Sequence, residues 1–261
     1  MGQLMKWSVA TLLGASFGVA GAEAATELAS EVATETRSLD ARVVRVKLDG
    51  QIDLRLKQGA APSLVISGDK KLLAGTTSEQ QGDTLTITNE VKGFKLGRRG
   101  QGLRAELTLP QLREVSTDSV GSADVSGFSG DELELNLEGA GSMKVNCSYR
   151  LVTATLGGVG SMQVDGGNYE GIDLNLRGAG FVTLKGSSKW LKASLGGLGS
   201  MDAQHLQVDT VNLDLSGLGS ASVWARQNAN LNLSGLGSVT VYGKPVNRSV
   251  SVDGLGKVSW K

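Results

Sequence analysis

Residues 211–239 read VNLDLSGLGSASVWARQNANLNLSGLGSV, and the phrase Leu-Ser-Gly-Leu-Gly-Ser occurs in them twice, at 215–220 and at 233–238. Working outward, the same short Gly-flanked turn recurs with centres at Val120, Ala140, Val159, Ala179, Leu198, Leu218, Leu236 and Leu255, spaced 20, 19, 20, 19, 20, 18 and 19 residues apart. The flanking pairs are Gly139 and Gly141, Gly158 and Gly160, Gly178 and Gly180, Gly197 and Gly199, Gly217 and Gly219, Gly235 and Gly237, and Gly254 and Gly256; the first turn alone has Ser119 in the leading place. Gly suits such a bend because it takes positive φ or permits close backbone approach without a Cβ clash. The next residue is Ser in six turns (Ser122, Ser142, Ser161, Ser200, Ser220, Ser238), with Phe181 and Lys257 as the exceptions.

Aligned on that residue, apolar side chains alternate with polar ones on both sides of the turn. Five residues upstream stand Leu137, Leu156, Leu176, Leu195, Leu215, Leu233 and Val252; one downstream stand Met143, Met162, Val182, Met201, Ala221, Val239 and Val258. Six upstream the column is polar: Asn136, Thr155, Asn175, Ser194, Asp214, Asn232 and Ser251. A period of 2 means strands with one buried face, where a helix needs 3.6. Each cassette is therefore strand, Gly turn, strand, and one cassette alone has too few apolar side chains to offset the ordering of its backbone. Stacked cassettes share one core, which predicts an all-β parallel β-helix, or solenoid, with about 19–20 residues per coil. A β-sandwich or propeller gives no reason for the same inward columns at one constant period. Leucine-rich repeats carry a helix or an inward Asn ladder that these cassettes lack.

The cassette loosens before residue 113. Val44, Val46 and Leu48, then Ile52, Leu54 and Leu56, alternate around Gly50; Leu64–Ile66, Leu85–Ile87 and Leu103–Leu109 are further strands, so 41–112 reads as irregular opening coils and 113–261 as regular repeats of a single domain. The Lys92–Arg99 stretch reads as an inserted, solvated loop. Residues 25–40, rich in Glu, Thr and Ser, read as a flexible arm. Residues 1–24 carry Lys6, an apolar run of about 14 residues from Trp7 to Ala20 and a small-x-small site at Ala22-Glu23-Ala24, the layout of a signal peptide cleaved after Ala24. That run falls short of the roughly 20 residues of a membrane helix, and no Cys follows it for lipid attachment. The expected location is periplasmic or extracellular, with no integral membrane segment after cleavage.

Composition closes several function classes. Of 261 residues 37 are Gly, about 14% and roughly twice the ordinary share, while only 4% are aromatic. Basic and acidic side chains number 26 each, for a net charge of zero, which removes the basic footprint of a nucleic-acid binder. One Cys (Cys147) and one His (His205) form neither a disulfide nor a usual metal cluster. Cys147 reads as a packing residue and His205 as a surface residue. The Gly-x-Gly turns lack the third Gly and the helix of a dinucleotide site. They resemble calcium-binding β-roll repeats, but Met162 and Met201 stand where a carboxylate ligand is needed. No cofactor and no metal are expected.

The lead Glu35-Thr36-Arg37, Val44–Leu56 with its central Gly, Gln58-Gly59, Leu64-Val65-Ile66-Ser67-Gly68, Gly82-Asp83-Thr84-Leu85-Thr86-Ile87, the Gly-Leu-Gly-Ser cassettes and the closing Ser249–Lys261 together resemble the head GIN domain family, described as autotransporter-adhesin heads and as a domain of unknown function. The resemblance covers about residues 35–261. It implies a right-handed, single-stranded β-helix similar to pectin-lyase-like folds, no shared catalytic set, and a role in cell adhesion. Two departures stand out. The Gly-Ile-Asn triplet is absent, with Gly171-Ile172-Asp173 its nearest approach, and no region for an outer-membrane barrel is seen, so self-translocation is not expected.

A polysaccharide-binding or polysaccharide-cleaving protein is the alternative, and cleavage needs clustered carboxylates on one face. Asp124, Asp165, Asp173, Asp202 and Asp214 do not share a column and read as solvated charges; no catalytic residue is assigned. Trp224 and Tyr242 do share one, four residues after the anchor in successive coils, with Tyr149, Tyr169 and Trp190 placed nearby in the longer turns. The aromatic column is either a stabilising ladder or a sugar- or peptide-binding platform. The expected partner is an envelope protein or a glycan, and an open terminal coil invites self-association.

Overall fold

The computed structural model describes residues 32–89 and 102–261. Of the described residues 76% are strand and 2% helix, arranged as a β-solenoid of about seven turns. The expected signal peptide and the expected loop at Lys92–Arg99 lie outside the described residues.

The opening region holds β1 (Val32–Arg37), β2 (Arg45–Gly50), β3 (Ile52–Gln58), β4 (Ser63–Asp69), α1 (Lys70–Ala74), β5 (Thr76–Gln81), β6 (Thr84–Asn89), β7 (Leu103–Leu109) and β8 (Glu114–Ser119). The regular region follows with the long strands β9 (Ser122–Leu137), β10 (Ser142–Leu156), β11 (Ser161–Leu176), β12 (Phe181–Gly197), β13 (Ser200–Gly217) and β14 (Ser220–Gly235), then β15 (Ser238–Tyr242), β16 (Asn247–Gly254) and β17 (Lys257–Trp260).

In the regular region each coil is one strand, running from the residue after one Gly turn to the next turn and paired in parallel with the coil below and the coil above. Ser142 meets Ser161, Met143 meets Met162 and Leu156 meets Leu176; further along, Leu215 meets Leu233 and Gly217 meets Gly235. The inward columns read from the sequence are the core: Leu156, Leu176, Leu195, Leu215 and Leu233 are buried, as are Met143, Met162, Val182, Met201 and Val239. Register shifts fall in mid-coil, between Asn146 and Leu151 and between Asp165 and Asn168, so each coil has two straight arms joined by an irregular corner opposite the Gly turn.

The turn glycines are fixed by stacking. Gly235 has φ 127°, and a Cβ there would stand 2.7 Å from the carbonyl oxygen of Gly217 one coil below. Gly219 has an ordinary φ, yet a Cβ would overlap the Gly199 carbonyl oxygen. Backbone bonds run coil to coil through the turns, Leu218 N to Gly197 O at 3.0 Å and Leu236 N to Gly217 O at 3.1 Å.

The opening region corrects two expectations. Residues 32–37 of the expected flexible arm are an ordered strand: β1 lies antiparallel to β4, from Val32 opposite Asp69 to Arg37 opposite Leu64. Its polar sequence suits an edge that leaves most side chains in water, so the composition that reads as an arm equally serves an edge strand; Arg37 anchors it by donating to the Thr76 carbonyl at 2.8 Å. The strands of 41–112 are also not all coils. β2 and β3 stack in parallel with the solenoid, whereas β4 is antiparallel to β7 and β5 antiparallel to β6. Between them sits α1, capped by Asp69, whose carboxylate accepts from Lys71 N at 2.8 Å, and burying Leu73. Buried Asn89 donates to the Leu72 carbonyl at 3.0 Å and to Thr76 Oγ1 at 2.9 Å, tying helix to hairpin.

The last coil closes differently. Arg248 is in register with the core residue Ala229, and Trp260 with Val241. The Arg248 guanidinium stacks over the Trp260 ring, 4.4 Å from its centroid, across the end of the core. Val250 and Val252, inward by register, are 43% exposed because no described coil lies beyond them.

Candidate functional site: the outer ladders and the Trp224–Tyr242 pair

In-register stacking turns every outward position into a ladder. At the mid-coil corner Asp131, Arg150, Glu170 and Lys189 alternate in sign over four coils, with contacts of 3.5, 2.5 and 3.7 Å. The hydrogen bond from Arg150 holds the Glu170 carboxyl below its ordinary value. Asp165 pairs with Lys185 at 3.5 Å and Asp173 with Lys192 at 3.3 Å. These two acids, read from the sequence as solvated charges, lie at the surface with a cation beside each, because a repeat close to the coil length sets opposite charges side by side. Asp214 accepts from Asn232 at 3.2 Å in an amide ladder that also links Asn230 to Asn212 at 2.8 Å.

Trp224 and Tyr242 are register partners on β14 and β15, both partly exposed. The indole lies over the backbone of the next coil, where a Cβ on Gly243 would stand 2.9 Å from its Cδ2. Two cations border the rings, the Arg226 guanidinium 5.8 Å from the Trp224 centroid and Lys261 Nζ 5.8 Å from that of Tyr242. Arg226 is held by Asp209 at 3.6 Å and by Gln207 at 2.5 Å. Two residues upstream, Ser222 and Thr240 stand in register and supply hydroxyls. Aromatic faces beside fixed donors and acceptors can stack an apolar sugar face and bond its hydroxyls.

The other aromatics do not join them. Tyr149 and Tyr169 are buried: the inward alternation of the first arm runs on through Val145, Cys147 and Tyr149, whereas Tyr169 turns inward just past the register shift between Asp165 and Asn168. Tyr149 Oη donates to the Leu112 carbonyl at 2.7 Å, and burial raises both phenols above their ordinary range. Trp190 lies on the second arm, over Gly171 of the preceding coil. Cys147 is a buried thiol pushed up to about 11 by desolvation, and His205 is exposed.

Where β7, β3 and β9 run side by side, two clefts of about 320 and 280 Å³ are lined by charge. One cross-strand row reads Glu106, Arg55, Asp124, Lys144. Arg55 stands on the strand between the two acids, so each carboxylate has a guanidinium as its neighbour rather than the other carboxylate. Among the described residues no group of three His, Cys, Asp or Glu is placed to hold a metal.

The sequence reading assigned no role to the turn centres. Leu198, Leu218 and Leu236 are 63%, 58% and 59% exposed, and Val120, Val159 and Leu255 are exposed in the same line. The signal was present as an aliphatic residue between two glycines, where a turn is ordinarily polar.

Fold and surface define a parallel β-solenoid whose functional groups are spread in ladders over its outer faces. The chain belongs to the family described as "Putative auto-transporter adhesin, head GIN domain", which matches residues 44–245. Similar solved structures include an adhesin, so described as putative, from Parabacteroides distasonis, 20% identical with TM-score 0.77 over 89% of this chain and 98% of that one. A second from that organism, described as a putative lipid binding protein, is 21% identical with TM-score 0.76 over 89% and 98%. A putative adhesin from Parabacteroides merdae is 20% identical with TM-score 0.70 over 89% and 97%. At these identities the likeness is one of fold. No curated protein matches the chain. No helix among the described residues is long and apolar enough to cross a membrane.

Proposed function

We propose that this chain is an exported, non-enzymatic adhesion module that binds a glycan of the cell envelope or a neighbouring surface across Trp224 and Tyr242. The observation that carries the reading is the pairing of these two rings in adjacent coils, partly exposed and bordered by Arg226, Lys261 and a hydroxyl column. Family membership and the adhesins of like fold support it. The layout of residues 1–24 supports export. In this reading the solenoid acts as a rigid ruler, its core fixing the spacing of outward groups, and affinity comes from stacking with little loss of side-chain freedom.

The test is a glycan array probed with the wild-type protein and with Trp224→Ala/Tyr242→Ala. Bound glycans are expected to weaken about tenfold or more, the scale of two lost aromatic contacts, while the melting temperature falls by only a few degrees. Unchanged glycan binding in the double variant, or none by the wild type, ends this reading.

A further inference from the structure

We infer that the exposed aliphatic ridge along the Gly turns is a docking edge for a neutral lipid bilayer surface. It lies at the turns, away from Trp224 and Tyr242 on the first arm, and stands independently of the glycan reading.

The ridge begins with its backbone. Leu198, Leu218, Leu236 and Leu255 occupy one line in successive coils, spaced by the roughly 4.8 Å separation of paired strands. Where the turn centre is the small Ala179, exposed Phe181 replaces the usual Ser beside it. Lipid tolerates a polypeptide edge only if its N–H and C=O groups are already satisfied. Here the leucine N–H groups and the carbonyls of the glycines before the turn centres are satisfied: Leu198, Leu218, Leu236 and Leu255 donate to Gly178, Gly197, Gly217 and Gly235 at 3.3, 3.0, 3.1 and 2.9 Å. The edge can enter the acyl boundary without stranding these donors.

Charge selects the kind of surface. From Gly196 to Gly199, Ser216 to Ser220 and Ser234 to Ser238 the chain beside the leucines is Gly and Ser alone. Arg177 beside Ala179 and Lys257 beside Leu255 stand only at the two ends of the ridge, the latter with Asp253 in the same turn, so the three central leucines offer anionic headgroups no cation and the matching surface is zwitterionic. Shape selects lipid over protein. A convex line one side chain wide, set against the same line on a second copy, makes a contact far short of the roughly 800 Å² per partner of a stable complex. A fluid conforms to it, and partial insertion of a few leucines places binding in the weak, reversible range of a single acyl anchor.

The experiment is flotation of the full chain with phosphatidylcholine vesicles at low and high salt. The wild type is expected to float with the vesicles to the same extent at both salt levels, and Leu198→Ser/Leu218→Ser/Leu236→Ser to lose about tenfold or more of that binding with its melting temperature retained. Leu218→Glu alone serves if the triple variant misfolds, with the same direction expected. The proposal is overturned if the wild type does not float, if the variants float equally, or if binding requires anionic lipid and vanishes in salt. It is likewise overturned if the ridge proves to drive concentration-dependent self-association without vesicle binding.

Discussion

The regular coils β9–β14 and the opening region β1–β8 are built from one sheet by opposite means. In the coils every contact is repeated: Leu lies on Leu, Gly on Gly, cation on anion, and each turn supplies the hydrogen bonds of the next. In the opening region contacts are single: one helix, one buried amide at Asn89, one antiparallel edge. Repetition makes a surface of ladders and ties tolerance of change to stacking. Singular contacts close an end and answer to local geometry.

Glycine separates the two regions most sharply. Gly219→Leu sets a side chain against the Gly199 backbone and is expected to cost about 3 kcal/mol or more, seen as loss or steep lowering of the thermal transition. Gly82→Ala, at a φ of 63° with open space around it, is expected to cost only about 1 kcal/mol. Equal effects would break the comparison. Next in size, Leu174→Ala in a fully buried column is expected to lose about 2–5 kcal/mol in denaturant titration. Asn89→Ala is smaller, about 1–3 kcal/mol, because Gly75 and Thr76 still donate to the Leu72 carbonyl.

These differences also mark what the sequence could disclose. A period of about 19 sustained across eight turns averages away local ambiguity, so the core columns, the Gly stacking and the Trp224–Tyr242 pairing were legible. Features that occur once were not. β1 is a polar edge whose partner is set by tertiary pairing, and α1 is only five residues long, too short for a periodic signal. Tyr149 turns inward because the alternation carries on around the corner, and Tyr169 because a register shift that no pattern announces precedes it. Arg248 occupies a core column at the last coil, where an inward charge blunts the sheet edge.

The smallest expected effect is electrostatic. Because Glu170 has a folded pKa below its ordinary value, its pairing with Arg150 stabilises above that ordinary value and is lost as pH falls through the depressed one. Arg150→Gln should remove this contribution at neutral pH, the difference from the wild type should shrink as pH falls through the acid range, and salt should mask it; a pH series of melting curves at two salt levels reads it. An equal change at high salt would show that the corner ladder is more than a surface ion-pair row.

The central claim, that equivalent residues of consecutive coils lie one above another in parallel, is tested most directly by methyl-labelled methionine NMR. Met143 and Met162 are register partners in adjacent coils, while Met201, two coils beyond Met162, is separated from it by Val182. A strong Met143–Met162 methyl NOE is expected, with a far weaker or absent one between Met162 and Met201. A missing Met143–Met162 contact, with both methyls resolved and the protein folded, would contradict the claim.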